Sequence, residues 1–278
     1  MRKIKIVADS SADIQELKNI LFASAPLKVT AADKEFIDDS ELNVEEMVDF
    51  FDTYKGKSKT SCPNPADWLN AFGDADDIFC VTITSGLSGS YNSACNAKKM
   101  YEEENEGKRV FVIDSLSAGP ELVLIIEKLQ ELIEAGCEYD DICEKIMAYK
   151  ETTGLCFALA SLQNFAANGR VPMVVAKVAN VLGIRIVGIA SEQGTLQPID
   201  KCRGEAKSLE RIVGHLKTVG LKQGKVRITN CRNESAVEKL TTMIKSALPE
   251  TDVKVSKCRG LCSYYAEKGG LLIGYEKF

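Results

Sequence analysis

From Thr84 to Ala94 the chain reads TSGLSGSYNSA, with hydroxyls at 84, 85, 88, 90 and 93 and glycines at 86 and 89. The stretch follows the apolar run IFCVTI and precedes helix-forming residues, so it lies where a strand gives way to a helix. A helix N-terminus leaves backbone N–H groups without partners and carries about half a positive charge. Gly86 and Gly89 let the backbone approach a ligand closely, and Ser88 can donate its hydroxyl to the same ligand oxygen, with Ser85 beside it. That pattern suits a carboxylate or phosphate held without a cationic side chain. It equally suits a capped helix in which Ser85 or Ser88 satisfies its own N–H groups. Spacing alone does not separate the two.

Other chemistries find less support. A P-loop needs G-x-x-x-x-G-K-[ST], and neither its lysine nor its spacing is present. GLSGS only superficially resembles a G-x-S-x-G nucleophile elbow. The single histidine, His215, falls mid-helix in RIVGHLK far downstream, which speaks against a Ser-His-Asp hydrolase. Asp9 and Asp114 end two strand-like runs; they can hold magnesium, accept a phosphoryl group, or cap the helix that follows. The ten cysteines include no C-x-x-C pair, so a zinc site would need dispersed thiolates. They read as small buried hydrophobes of a reducing compartment, and neither a metal nor a cofactor is expected.

The elements that must position these residues alternate between strand and helix. KIKIVAD (3–9) predicts a strand, with a helix opening near Ser11–Asp13. Residues 26–39 predict a strand and short hairpin, and 44–55 a helix with Val44, Met47, Val48 and Phe51 on one face. Pro65 suits the first turn of a helix after TSCPN. Strands at 77–84 and 109–114, apolar almost throughout, imply parallel strands covered on both faces, with helices at 89–105 and 119–135. The loops after Asp9, Thr84 and Asp114 then crowd the carboxyl edge of a doubly wound sheet, where such sheets place ligands. From about residue 154 the pattern changes to a strand (154–161), a helix (172–183) and a hairpin turning at Gln193–Gly194. Helix, strand, helix and two further strands follow. The expectation is an N-terminal α/β domain over 1–153 and a C-terminal α+β domain with a mixed sheet over 154–278, a ligand lying between them.

Composition excludes several partners. With 278 residues and a formal charge of −5, the chain has no clustered basic stripe, so nucleic acid is not expected. No apolar run reaches the roughly 18–20 residues of a membrane span. ELVLIIEKLQELI is interrupted by Glu127, Lys128, Gln130 and Glu131, and MRKIKIVADSS enters a strand without a secretory apolar segment. The reading is a cytoplasmic protein without stable membrane insertion.

Taken as a set, VADSSADI (7–14), TSCPNPADW (60–68), ITSGLSGSYNSA (83–94), VIDSLSAG (112–119), LQNFAANGRV (162–171) and EQGTLQPIDKCRG (192–204) resemble the DegV family in order and spacing across nearly the whole chain. The resemblance implies a non-catalytic two-domain protein that buries a long-chain fatty acid. Some members present the acid to a separate fatty acid kinase, which forms an acyl phosphate. It places the carboxylate on Thr60 and Ser88, with Ser61, Ser85, Gly86 and Gly89 around them, and aligns a family arginine with Arg170. Four positions depart from the pattern: Asn64, Asn168, Arg185, and Cys258 where a histidine of the family's C-terminal motif stands near the carboxylate. These departures leave lipid binding better supported than kinase coupling. Two other readings stay open: a phosphotransfer or hydrolytic enzyme using Asp9, Asp114 and the serine loop, and a regulatory module whose lipid occupancy alters contacts with a partner protein.

Overall fold

The computed structural model describes residues 2–174, 176 and 183–277. Its first sheet is parallel, in the order β2 (Leu21–Ala25), β1 (Ile4–Asp9), β6 (Asp77–Thr82), β7 (Arg109–Asp114). Every residue of β6 is buried, because helices cover both faces. Trp68 and Phe72 of the helix Pro65–Phe72, with Ala94 and Ala97 of Ser90–Glu104, pack on Val7, Ile78 and Cys80. Leu122, Ile125 and Leu129 of Pro120–Glu134 and Ile142 of Tyr139–Glu151 pack on Ile6, Phe79 and Val81. This is the doubly wound arrangement that the apolar strands implied. Thr82 pairs with Asp114, and Ala8 with Val81, so the three hydroxyl-rich loops leave from one edge.

A small antiparallel sheet follows in the order β4 (Lys34–Ile37), β3 (Lys28–Ala31), β5 (Ser58–Ser61), carrying Thr60 on its last strand. The second large sheet is mixed: β10 (Leu196–Arg203), β9 (Ile184–Ala190), β8 (Thr153–Leu159), β13 (Leu271–Glu276), β11 (Gln223–Asn230), β12 (Glu250–Lys257). Only β11 and β12 pair in parallel. Alternation along β8 sorts its side chains. Cys156 and Ala158 face the helices Glu205–Thr218 and Glu234–Ala247, while Phe157 and Leu159 face the first lobe. The hairpin expected at Gln193–Gly194 is present: Gly194 has φ 69° and donates its N–H to the Ser191 carbonyl.

Several expectations fail locally. The helix expected near Ser11–Asp13 is a single 3₁₀ turn, Ser10–Ala12, ended by Asp13 in the left-handed region at φ 58°. Asp9 captures the Ser11 N–H and hydroxyl, which favours a turn over helix propagation. Strand β2 and the helices Tyr139–Glu151, Gln163–Ala167 and Gly260–Ala266 were not anticipated. The helix expected over 172–183 falls largely outside the described residues.

The helix Pro120–Glu134 also joins the lobes. A Cβ on Gly274 of β13 would come within 2.5 Å of the Pro120 backbone, so only glycine admits this approach. On the far side Glu127 receives a forked pair of hydrogen bonds from Arg227 of β11, at 2.9 and 2.7 Å, and Arg227 also donates to Asp252 at 2.8 Å. Arg227 is only 4% exposed, so the pairing geometry offsets a desolvation cost. Gly274→Ala should therefore destabilise the protein by about 1–3 kcal/mol through overpacking. Gly214→Ala, in the helix Glu205–Thr218 with nothing within 4 Å of its added methyl, should stabilise it by roughly 0.4–1 kcal/mol. Urea unfolding of the two variants checks this; equal midpoints would remove the close-approach argument.

Candidate functional site

Asp9, at the end of β1, is fully buried. Its Oδ1 accepts from the Ser11 N–H and hydroxyl, and its Oδ2 from the Ile83 N–H at 2.8 Å and the Ser90 hydroxyl at 2.6 Å. Burial raises its pKa and these four donors oppose the rise. Asp114 accepts from the Ser85 and Leu116 N–H groups, both at 3.1 Å. Each of these aspartates therefore ties loop to sheet.

A cavity of about 290 Å³ lies between the carboxyl edge of the parallel sheet and the inner face of the mixed sheet. Most of its wall is apolar, with Leu155, Phe157 and Leu159 from β8, Ile83 after β6 and Leu261 from the last helix. Its polar lining includes Thr60, Ser61, Cys62, Ser88, Gly89 and Arg170, together with Thr84, Ser117 and Thr195. Thr60 donates its N–H to Asn168 Oδ1 at 3.1 Å, and Arg170 donates to the Asn168 and Leu87 carbonyls, which knits these segments together. Among the described residues no carboxylate pairs with Arg170, so its charge stands beside the hydroxyls uncompensated.

The helix Ser90–Glu104 has Gly89 at its N-cap and no side-chain hydrogen bond from that residue. Ser88 Oγ accepts from the Ser90 N–H at 3.2 Å. A hydroxyl that accepts in this way keeps its own proton to donate. Ser88 thus caps the helix and can still offer a donor to the cavity, so the two readings of this serine are compatible.

Three residues expected at the site stand off the cavity wall. Ser85 is exposed, with its N–H turned to Asp114. Gly86 is also exposed, and a Cβ there would lie 2.4 Å from the Gln193 carbonyl. Its missing side chain leaves room for the β9–β10 turn. Gly194 interlocks from the other side, since its Cβ would fall on the Thr84 hydroxyl. Cys258, 4% exposed, is drawn beneath the wall by its N–H bond to the Asn230 carbonyl at 2.9 Å, and burial pushes its thiol pKa well up. Four residues on, Cys262 does reach the cavity.

Sequence reasoning missed Cys62, Asn168, Tyr264 and Tyr265. Asn168 Nδ2 donates to Tyr264 Oη at 2.8 Å, Tyr264 Oη is 2.6 Å from Ser58 Oγ, and Tyr265 Oη is 2.7 Å from Thr60 Oγ1. The adjacent tyrosines in CSYYAEK were the available signal.

The last helix is fastened to the first lobe by two acids. Asp13 Oδ1 accepts the Arg259 N–H at 2.7 Å, and Asp38 accepts those of Gly260 and Leu261, both at 2.9 Å. Asp13 Oδ2 is buried and, among the described residues, has no hydrogen-bond partner. Burial pushes the Asp13 pKa up to about 8 against the Arg259 N–H bond, while Asp38 adds to the rise and the Cys262 thiol and Arg259 charge reduce it.

An apolar cavity between two α/β lobes, with hydroxyls, a helix N-terminus and an arginine at one part of its wall, is built for an amphiphile with an anionic head. The family model described as "Uncharacterised protein, DegV family" matches residues 3–277. The chain belongs to the DegV family. A DegV domain-containing protein of Streptococcus pneumoniae is 42% identical over 276 residues, 98% of each chain. A DegV family protein from Eubacterium eligens, solved loaded with heptadecanoic acid, is 46% identical with a TM-score of 0.97, over 99% of this chain and 100% of that one. The Streptococcus pneumoniae Fatty Acid Kinase (Fak) B3 protein loaded with linoleic acid is 42% identical, with the same TM-score and coverage. Among the described residues no helix is long and apolar enough to cross a membrane.

The acid at 13 carries a pH signature. Between its ordinary value of 3.8 and about 8 the folded chain keeps a proton that the unfolded chain releases. Stability contributed by that proton is therefore lost as pH rises through this window, then levels off. Asp13→Asn keeps an acceptor for the Arg259 N–H and should flatten the slope, gaining on the wild type most above pH 8. Asp38, Arg259, Cys258 and Cys262 face the same carboxyl and are unchanged in that comparison. Parallel pH–stability curves for the two proteins would contradict the assignment.

Proposed function

We propose that this protein binds a long-chain fatty acid, with the carboxylate on Thr60 and Ser88 beside Arg170 and the tail along the apolar wall, and presents it to a separate fatty acid kinase. The observation that carries the reading is that Thr60, Ser61 and Ser88 line a mostly apolar cavity together with Arg170, a cation with no carboxylate partner among the described residues. Neutral O–H and N–H donors at a helix N-terminus suit a carboxylate, and each buried methylene contributes about 0.8 kcal/mol. Two similar proteins, 46% and 42% identical, carry heptadecanoic and linoleic acid, and the second is a fatty acid kinase B protein, which supports both ligand and partner. The filled oxygens of Asp9 favour this binding role over phosphotransfer on that side chain. With Cys258 off the cavity wall, we propose that its thiol takes no part in holding the head group. Residues 1–153 would then supply the serine loop and Thr60, and 154–278 most of the tail wall.

Thr60→Ala and Ser88→Ala should each weaken fatty-acid binding by ~1–3 kcal/mol, because each removes one donor from a buried charged acceptor. The methyl ester of the same acid should bind more weakly than the acid to the wild type and change little between variants. Titration calorimetry with matched acid and ester gives the answer. Full acid affinity in the double variant would rule out the clamp.

A further inference from the structure

We infer that Tyr265 is a positioning residue for the lipid head group, its phenol setting the direction in which the Thr60 hydroxyl pair donates. The inference rests on the carboxylate-clamp reading above and deepens it.

Tyr265 belongs to the helix Gly260–Ala266 and lines the cavity beside Thr60. Its hydroxyl lies 2.7 Å from Thr60 Oγ1. The ring has little freedom: it packs on Phe165 with centroids 4.6 Å apart and meets Tyr264 edge-on at 5.0 Å and 74°. Thr60 is also gripped through its backbone, whose N–H donates to Asn168 Oδ1 at 3.1 Å. Asn168 is in turn anchored by donating to Tyr264 Oη and to the Asn164 carbonyl. The second lobe therefore holds Thr60 at both its main chain and its side chain.

Each hydroxyl of the pair has one proton and two lone pairs. Their mutual hydrogen bond uses one proton of the two, which leaves one O–H to donate outward. A phenol is a stronger acid than an aliphatic alcohol, so Tyr265 donates to Thr60 Oγ1 and the Thr60 proton faces the anion. That single outward donor is strengthened because its own oxygen already accepts. Burial raises the Tyr265 pKa, so the phenol keeps its proton at neutral pH. Without the phenol, Thr60 Oγ1 loses the partner that orients it and its proton is no longer aimed.

Tyr265→Phe keeps the ring and its contacts with Phe165 and removes only the hydroxyl. It should lower affinity for a C17 or C18 fatty acid about three- to tenfold. Affinity for the fatty alcohol of equal length should stay within twofold, so the acid-to-alcohol preference shrinks. A purely structural role would move both ligands together. The coupling is read in the Thr60→Ala background, where adding Tyr265→Phe should cost no further acid affinity. An unchanged acid-to-alcohol ratio in Tyr265→Phe, alongside a reduced ratio in Thr60→Ala, would overturn this inference and leave the clamp standing. A wild type that does not prefer acid to alcohol would overturn the clamp and this inference with it.

Discussion

Asp9 is a buried acid at the edge of a sheet, and among the described residues its oxygens accept from N–H and O–H donors rather than from a cationic side chain. Burying such a group is costly unless every lone pair is used, and two donors on each oxygen meet that condition. The bonds fix where the chain runs after β6. Ile83 and Ser90, seven residues apart, both converge on Asp9, so the loop between them is pinned at its two ends. The serines then divide their work by direction: Ser90 points inward to the acid, while Ser88 remains on the cavity side. A looser loop would leave the hydroxyls pointing at water.

The cavity is a gap between two lobes, and its shape depends on what holds them in register. Three sets of contacts do so. The helix Pro120–Glu134 lies against both large sheets through Gly274 and the Arg227–Glu127 fork. The β9–β10 turn interlocks with the serine loop where Gly86 and Gly194 leave no room for side chains. Asp13 and Asp38 hold the start of the last helix. The three sets differ in chemistry, and the acidic one alone carries a group with its pKa moved to about 8.

The departures from the family pattern have local structural uses. Asn64 caps the helix Pro65–Phe72 in a reciprocal capping box with Asp67, a role an asparagine fills as well as a serine. The Asn168 side chain bridges Thr60 and Tyr264. Arg185 pairs with Glu205 at 3.0 Å and donates to the Gly269 carbonyl at 2.8 Å. Cys258 fills a buried place away from the cavity. The polar part of the cavity wall is thus tied to both lobes by hydrogen bonds through Asn168 and the adjacent tyrosines.

The alternation of fully apolar strands with amphipathic helices, the Asn64–Pro65 helix start, the turn at Gly194 and the hydroxyl-rich edge of the parallel sheet were legible in the residues themselves. Each is encoded within a window of a few residues, where periodicity, capping and turn chemistry act. Direction and partnership were not legible. Whether Gly86 faced a ligand or a neighbouring turn, whether Cys258 reached the cavity, and that Tyr265 would meet Thr60 depended on segments far apart in the chain, the last pair by 205 residues. The seven-residue helix Gly260–Ala266 is too short to announce itself by period, and distant acids hold its first N–H groups. Local patterning determined which elements form and which residues could bind an anion. Packing between lobes decided which of those residues share one cavity, because a hydroxyl's use depends on where its neighbours turn its proton.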